Sequence, residues 1–244
     1  MNNFLYALIL SSIAGLSSIL GFLFVFLKIS NINKFLSFII SFTISIMLCI
    51  SLFDLIPESL TMLKVKYAFI GIILFLIVFF ITNILFNKIN FKIEKGSSLY
   101  KIGVLSSVTL FIHNIPEGIL TFNTTYSNFD LGLKTSFAIA LHNIPEGIAV
   151  SIPIYYATNR RGRALFLTFV SGISEPVAGI ISNIFIKDLL NENLIGIMMI
   201  FAASLMIFLS VYKLYPEVLI YKEKKSMYLG FILGLFLFIN IILF

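Results

Sequence analysis

Long apolar runs recur along the whole of this chain, and they constrain its fold more than any other feature. They fall at about 4–27, 35–58, 67–86, 102–124, 132–156, 164–186, 194–215 and 227–244. Each is long enough to cross a ~30 Å hydrocarbon layer as a helix. The runs are continuous rather than alternating, which argues against transmembrane strands. Of 244 residues, 59% are hydrophobic and 11% charged, whereas soluble domains are about one quarter charged. The expected fold class is therefore an all-α integral membrane protein of eight transmembrane helices, forming a single transmembrane domain over 1–244. The first run is too long for the apolar core of a cleaved signal peptide, so it is read as a retained helix.

The basic residues supply an orientation. Lys28, Lys34, Lys88, Lys92, Lys95, Lys101, Arg160, Arg161, Arg163, Lys222, Lys224 and Lys225 follow spans 1, 3, 5 and 7, twelve in all. Only Lys64, Lys66, Lys134 and Lys187 follow spans 2, 4 and 6, and Lys213 lies within span 7. The excess marks the cytoplasmic side, so a plasma (inner) membrane protein with both termini extracytoplasmic is expected. The net charge of +6 thus reads as topology, with no nucleic acid as partner. Tyr6, Tyr67, Tyr100, Tyr126, Tyr155, Tyr221 and Tyr228 lie near span ends, as an interfacial aromatic belt requires. The single cysteine, Cys49, excludes a disulfide framework and a cysteine-based zinc site.

Against this apolar background, six of the eleven acidic residues and both histidines fall inside spans or, for Glu217, just past a span's end. A charge at mid-span costs at least ~2.5–3.5 kcal/mol, which makes such a residue a functional hypothesis by default. His113, Glu117, His142, Glu146 and Glu175 lie deep; Asp54, Glu58 and Glu217 lie nearer span ends. Five of the six prolines, Pro57, Pro116, Pro145, Pro176 and Pro216, adjoin one of these glutamates. Proline removes a helical hydrogen bond, and irregular backbone at membrane depth is tolerated where it lines protein or a polar cavity.

The motif His-Asn-Ile-Pro-Glu-Gly occurs twice, at 113–118 and at 142–147. Within each copy His and Glu are four apart, so both project from one helix face, with Asn close beside them. A lone buried histidine is usually a packed, hydrogen-bonded residue. Two identical copies holding every histidine of the chain, with Glu175 at matching depth on span 6, point instead to a metal site of His113, Asn114, Glu117, His142, Asn143, Glu146 and Glu175. Imidazole and carboxylate without thiolate suit Zn²⁺, Fe²⁺, Mn²⁺ or Co²⁺. Binding should release protons. Gly172, Ser174, Ala178 and Gly179 would let span 6 approach closely.

A second echo relates Asp54-Leu55-Ile56-Pro57-Glu58 to Lys213-Leu214-Tyr215-Pro216-Glu217. These segments close spans 2 and 7, on opposite membrane faces, as an inverted repeat of spans 1–3 and 6–8 produces. Inverted repeats around a midplane site are a recurring transporter design. Asp54 and Glu58 would then line an outer mouth and Glu217 an inner one. The alternative is an intramembrane metalloenzyme acting as a hydrolase, but the symmetrical copies leave no obvious general base, and no enzyme is expected.

With these residues in view, the chain resembles the ZIP (Zrt/Irt-like) divalent metal transporters, and its paired motif resembles their bacterial ZupT-like branch. The resemblance implies eight spans in a 3+2+3 arrangement. It also implies a binuclear-type site on the seven residues named above, and passage of Zn²⁺, and often Fe²⁺, Mn²⁺ or Co²⁺, into the cytoplasm by elevator-like or rocking alternation. No prosthetic group is implied; the partners are the metal ions, the lipid bilayer and, as an assembly to be tested, a second copy in a homodimer. Lys213 departs from the acid that relatives commonly carry there, and the loop after span 3 lacks a histidine cluster.

Overall fold

A computed structural model of the chain describes residues 3–63, 69–74, 76–77, 80, 84 and 97–243. Among these, every regular element is helical: α1 (Asn3–Leu16), α2 (Ser18–Phe22), α3 (Ile32–Ile50), α4 (Ile56–Met62), α5 (Ser97–Ser127), α6 (Phe129–Thr158), α7 (Arg161–Phe185), α8 (Glu192–Phe208), α9 (Tyr215–Ile220) and α10 (Lys224–Leu243). Six stretches among the described residues are long and apolar enough to cross a membrane: Asn3–Phe26, Ile32–Met62, Leu99–Ser127, Phe129–Thr158, Arg161–Phe185 and Glu192–Ile220. The chain is thus a multi-pass membrane protein. The sequence-predicted eighth span coincides with α10. The third, 67–86, and the linker 87–101, with Lys64, Lys66, Lys88, Lys92, Glu94 and Lys95, lie largely outside the described residues.

The helices outrun their apolar windows because polar residues cap them. The side chains of Asn31, Asn128 and Asn191 accept from the backbone N–H groups of Lys34, Leu131 and Leu194, starting α3, α6 and α8. Asn159, at φ 52°, ends α6 in the left-handed conformation that asparagine tolerates. Lys101, read from sequence as part of a loop, is inside α5, which begins at Ser97 and so extends into the polar flank of its apolar window. The first span is interrupted at Ser17, whose hydroxyl donates to the carbonyls of Ala14 and of Ala140 on α6.

Prolines act in two ways. Helices α5, α6 and α7 are continuous through Pro116, Pro145, Pro153 and Pro176. At Pro57 and Pro216, by contrast, a wider π-type segment precedes the proline, Ser51–Leu55 in one case and Leu209–Leu214 in the other. Proline lacks the N–H that would close the preceding α-turn, and its ring crowds the carbonyl four residues back, so expansion of that turn relieves both. Both segments end on the leucine that precedes the Ile56-Pro57 and Tyr215-Pro216 pairs. The repeat seen in the letters is therefore also a repeat in backbone shape.

Helix α1 packs on α5, α6 and α7, α2 packs on α6 and α7, and α5, α6 and α7 pack on one another. Helix α3 pairs closely with α10, and α8 lies against α5 and α4. Gly230 and Gly234 of α10 make the α3 pairing close: a Cβ on either would collide with the backbone or side chains of Phe38 to Ser45.

The solvation pattern is inverted relative to a soluble protein. Phe53, Phe137, Phe166, Phe185 and Ile232 are each at least 63% exposed, while Ser37, Ser41, Thr43, Ser51, Thr168 and the His, Asn and Glu residues of both motif copies are buried. Contacts at the helix ends place spans relative to one membrane face. Arg161 stacks over Phe26 and Arg163 over Tyr100, Phe35 meets Tyr156, and Ser37 donates to the Glu223 carbonyl. Asn3, at the other end of α1, donates to the Tyr126 carbonyl. The described basic residues Lys28, Lys34, Arg160, Arg161, Arg163, Lys222, Lys224 and Lys225 thus belong to helix ends on one face.

Candidate metal centre

The two motif copies sit about midway along α5 and α6, and Glu175 about midway along α7. Packing of these three helices brings all seven sequence-predicted ligands together, none more than 6% exposed. Glycines make the approach close enough. A Cβ on Gly118 would strike the backbone of Glu175, one on Gly147 the backbone of Ser18, and Gly15 and Gly172 face each other in the same way. The last letter of each motif is therefore where a neighbouring backbone crosses, α7 over the first copy and α2 over the second.

At the centre stands Glu117. Its Oε1 lies 3.1 Å from Nε2 of His113 on its own helix and 3.1 Å from Nε2 of His142 on α6. His113 Nε2 is also 3.4 Å from Oε1 of Glu146. The opposite nitrogen of His113, Nδ1, faces the carbonyl of Ala202 on α8 at 3.2 Å. A carbonyl only accepts, so Nδ1 carries the proton and donates. In the neutral ring, Nε2 then presents a lone pair to two carboxylates. That arrangement is repulsive unless a positive charge, proton or metal, stands among them. A second ring N–H fixed on a backbone carbonyl is the support that metal-ligating histidines commonly have.

The asparagines are oriented by the same logic. Asn114 donates its amide N–H to the Ser171 carbonyl at 2.9 Å, and Asn143 donates to the Ala14 carbonyl at 2.9 Å and to Oε1 of Glu175. Those acceptors fix the nitrogen side of each amide and leave the oxygen side free. Buried oxygens without a donor then accumulate: Oδ1 of Asn114 and Asn143, Oε2 of Glu117 and Glu175, and both oxygens of Glu146. Buried polar atoms are nearly always partnered, and each exception asks for a reason. Scattered hydroxyls such as Ser41, Ser106 and Ser210 are exceptions too, but these six oxygens belong to the predicted ligand residues and are all acceptors, which is the chemistry of a cation site. Among the described residues no three His, Cys, Asp or Glu side chains already surround an open coordination position. The imidazoles and carboxylates touch one another instead.

The remaining predicted residues lie away from this cluster. Asp54, in the π-type segment, and Glu58, in the first turn of α4, are exposed. Glu217, expected at an inner mouth, is 4% exposed and accepts the Tyr221 hydroxyl at 2.9 Å. Lys213 is half-buried, with its ammonium 5.6 Å from the centre of the Phe208 ring. Sequence reasoning missed the backbone carbonyls of Ala202, Ser171 and Ala14. No residue-type signal marks them, because any residue supplies a carbonyl; the small residues around them (Ala14-Gly15, Ser171-Gly172, Ala202-Ala203) are the only hint.

Comparison with known proteins agrees with this architecture. The family model described as "ZIP Zinc transporter" matches residues 92–242. The chain is 35% identical to "Zinc transporter ZupT" of Oceanobacillus iheyensis and 35% identical to the protein of that name from Chlorobium limicola, over 96% of both chains in each case. It is 32% identical to the Clostridium perfringens protein, over 96% of this chain and 94% of the relative. Two copies of the motif on adjacent packed helices, a matching family model and near full-length relatives lead to one conclusion: the chain belongs to the ZIP zinc-transporter family.

Proposed function

We propose that this chain carries divalent transition-metal ions, zinc foremost and Fe²⁺, Mn²⁺ and Co²⁺ with it, across the plasma membrane into the cytoplasm. The observation that carries this reading is the buried cluster of two imidazoles, three carboxylates and two amide oxygens whose lone pairs face one another. Such a cluster is costly in a low-dielectric interior and becomes favourable when a cation passes among its members. The names of the relatives, all zinc transporters, point the same way.

His113, Asn114, Glu117, His142, Asn143, Glu146 and Glu175 bind the ion near the bilayer midplane. The amides add oxygen ligands without further negative charge, so the ion is held reversibly. Eight spans in a 3+2+3 arrangement form one transport domain, with both termini extracytoplasmic and the lysine- and arginine-bearing helix ends in the cytoplasm. Asp54 and Glu58 receive ions at the outer mouth. Glu217, bonded to Tyr221, is their counterpart at the inner one, and rearrangement of that pair accompanies release.

Purified protein in liposomes tests the reading. Time-dependent accumulation of zinc inside vesicles bearing the wild-type chain, above that in empty vesicles, is expected. Vesicles that accumulate no divalent ion refute it, and hydrolysis of a peptide or lipid without ion flux would assign the site to an enzyme.

A further inference from the structure

A cavity of about 240 Å³ lies beneath the turn that joins α9 to α10, far in sequence from the metal cluster and unused by it. It is bordered by Lys222, Glu223 and Lys224 of the turn, Val218 and Leu219 of α9, and Ser37 of α3. Lys222 adopts φ 56°, in the left-handed region that lysine seldom occupies. That residue reverses the chain, so that Lys222 and Lys224 both border one opening. The Ser37 hydroxyl donates to the Glu223 carbonyl at 3.2 Å, which ties the turn to α3 and keeps the cavity's walls together.

The cavity is charged at one edge and apolar at the other. Its two lysines are exposed, and against the single carboxylate of Glu223 they leave it net positive. Leu219 is 51% exposed and, with Ile220 at 62% and Leu229 at 52%, belongs to the surface that faces lipid. The opening therefore straddles the level at which the apolar belt ends and the basic residues begin. In a bilayer that is the level of the lipid phosphates.

We propose that this cavity binds the headgroup of an anionic phospholipid, its phosphate between Lys222 and Lys224 and its acyl chains along Leu219. Basic clefts between helices at a membrane surface favour such headgroups, and each lysine near the surface adds about five-fold to the affinity. A soluble anion would use the lysines but gain nothing from the apolar lip; a zwitterionic lipid would use the lip but not the excess charge.

Native mass spectrometry of the full chain released from nanodiscs of mixed phosphatidylglycerol and phosphatidylcholine tests the assignment. Preferential retention of phosphatidylglycerol is expected. The double variant Lys222→Gln/Lys224→Gln should lose about twenty- to thirty-fold of that preference. Lys134→Gln, an exposed lysine of α6 away from the cavity, should keep it, and millimolar inorganic phosphate should not displace the lipid. Equal retention of both lipids by the wild type, or undiminished preference in the double variant, overturns the site. Displacement by inorganic phosphate overturns the lipid and assigns the lysines to a soluble anion.

Discussion

The carboxylate of Glu117 lies 3.1 Å from the imidazole of His142, twenty-five residues away in sequence and on a different helix. Because the same oxygen is equally close to His113, Glu117 joins the two motif copies into one site, and its neighbours stand or fall with it.

Replacing Glu117 by Gln keeps the shape but removes the charge that faces both imidazoles. Zinc flux into proteoliposomes should fall by about one hundred-fold or more, the upper end of what outer partners of metal sites lose when mutated. His142→Ala removes one imidazole and should change the order of preference among zinc, iron, manganese and cobalt. Uptake of every ion at wild-type rates would exclude His142 as a ligand.

Protons and metal compete for the same lone pairs, since imidazole must be neutral and carboxylate ionised to bind. Lower pH therefore favours the protonated, metal-free site, and affinity should rise with pH. Titration between about pH 5.5 and 7.5, with proton release followed in weak buffer, checks the sign. A flat affinity over that range would contradict it.

Asn143 is anchored by the Ala14 carbonyl and also donates to Glu175. Asn143→Ala leaves the buried Oε1 of Glu175 without that donor, while the Ala14 carbonyl keeps the Ser17 hydroxyl; the loss costs about 1–3 kcal/mol. The melting temperature in detergent should drop, and zinc should restore less of it than in the wild type.

Gly118→Ala and Gly147→Ala each place a methyl group against a crossing backbone that has no side chain to move aside. Each should destabilise the protein by about 1–3 kcal/mol or more. Gly162→Ala, with nothing within 4 Å of the added carbon, should be neutral or slightly stabilising. Thermal unfolding of the three variants side by side decides the matter.

How these groups meet was only partly readable from the letters. The apolar runs revealed six of the spans because a bilayer demands about twenty nonpolar residues from any helix that crosses it. They misjudged the ends, because Asn31, Asn128 and Asn191 carry their helices beyond the apolar window by capping, a local hydrogen bond that hydropathy does not register. The repeated motif singled out which side chains to propose for the chemistry, since imidazole and carboxylate in lipid need a reason to be there.

By itself, then, the order of residues determined the solvent, the helical class and which buried imidazoles and carboxylates are candidates for the site, all of which depend on local composition and on i, i+4 spacing. Only the tertiary structure decided that Glu117 stands between two histidines, that Ala202 fixes the His113 tautomer, and that Glu217 is buried and bonded to Tyr221. Those facts depend on how closely helices approach. That is set where glycine lets one backbone cross another, between segments that the sequence keeps far apart.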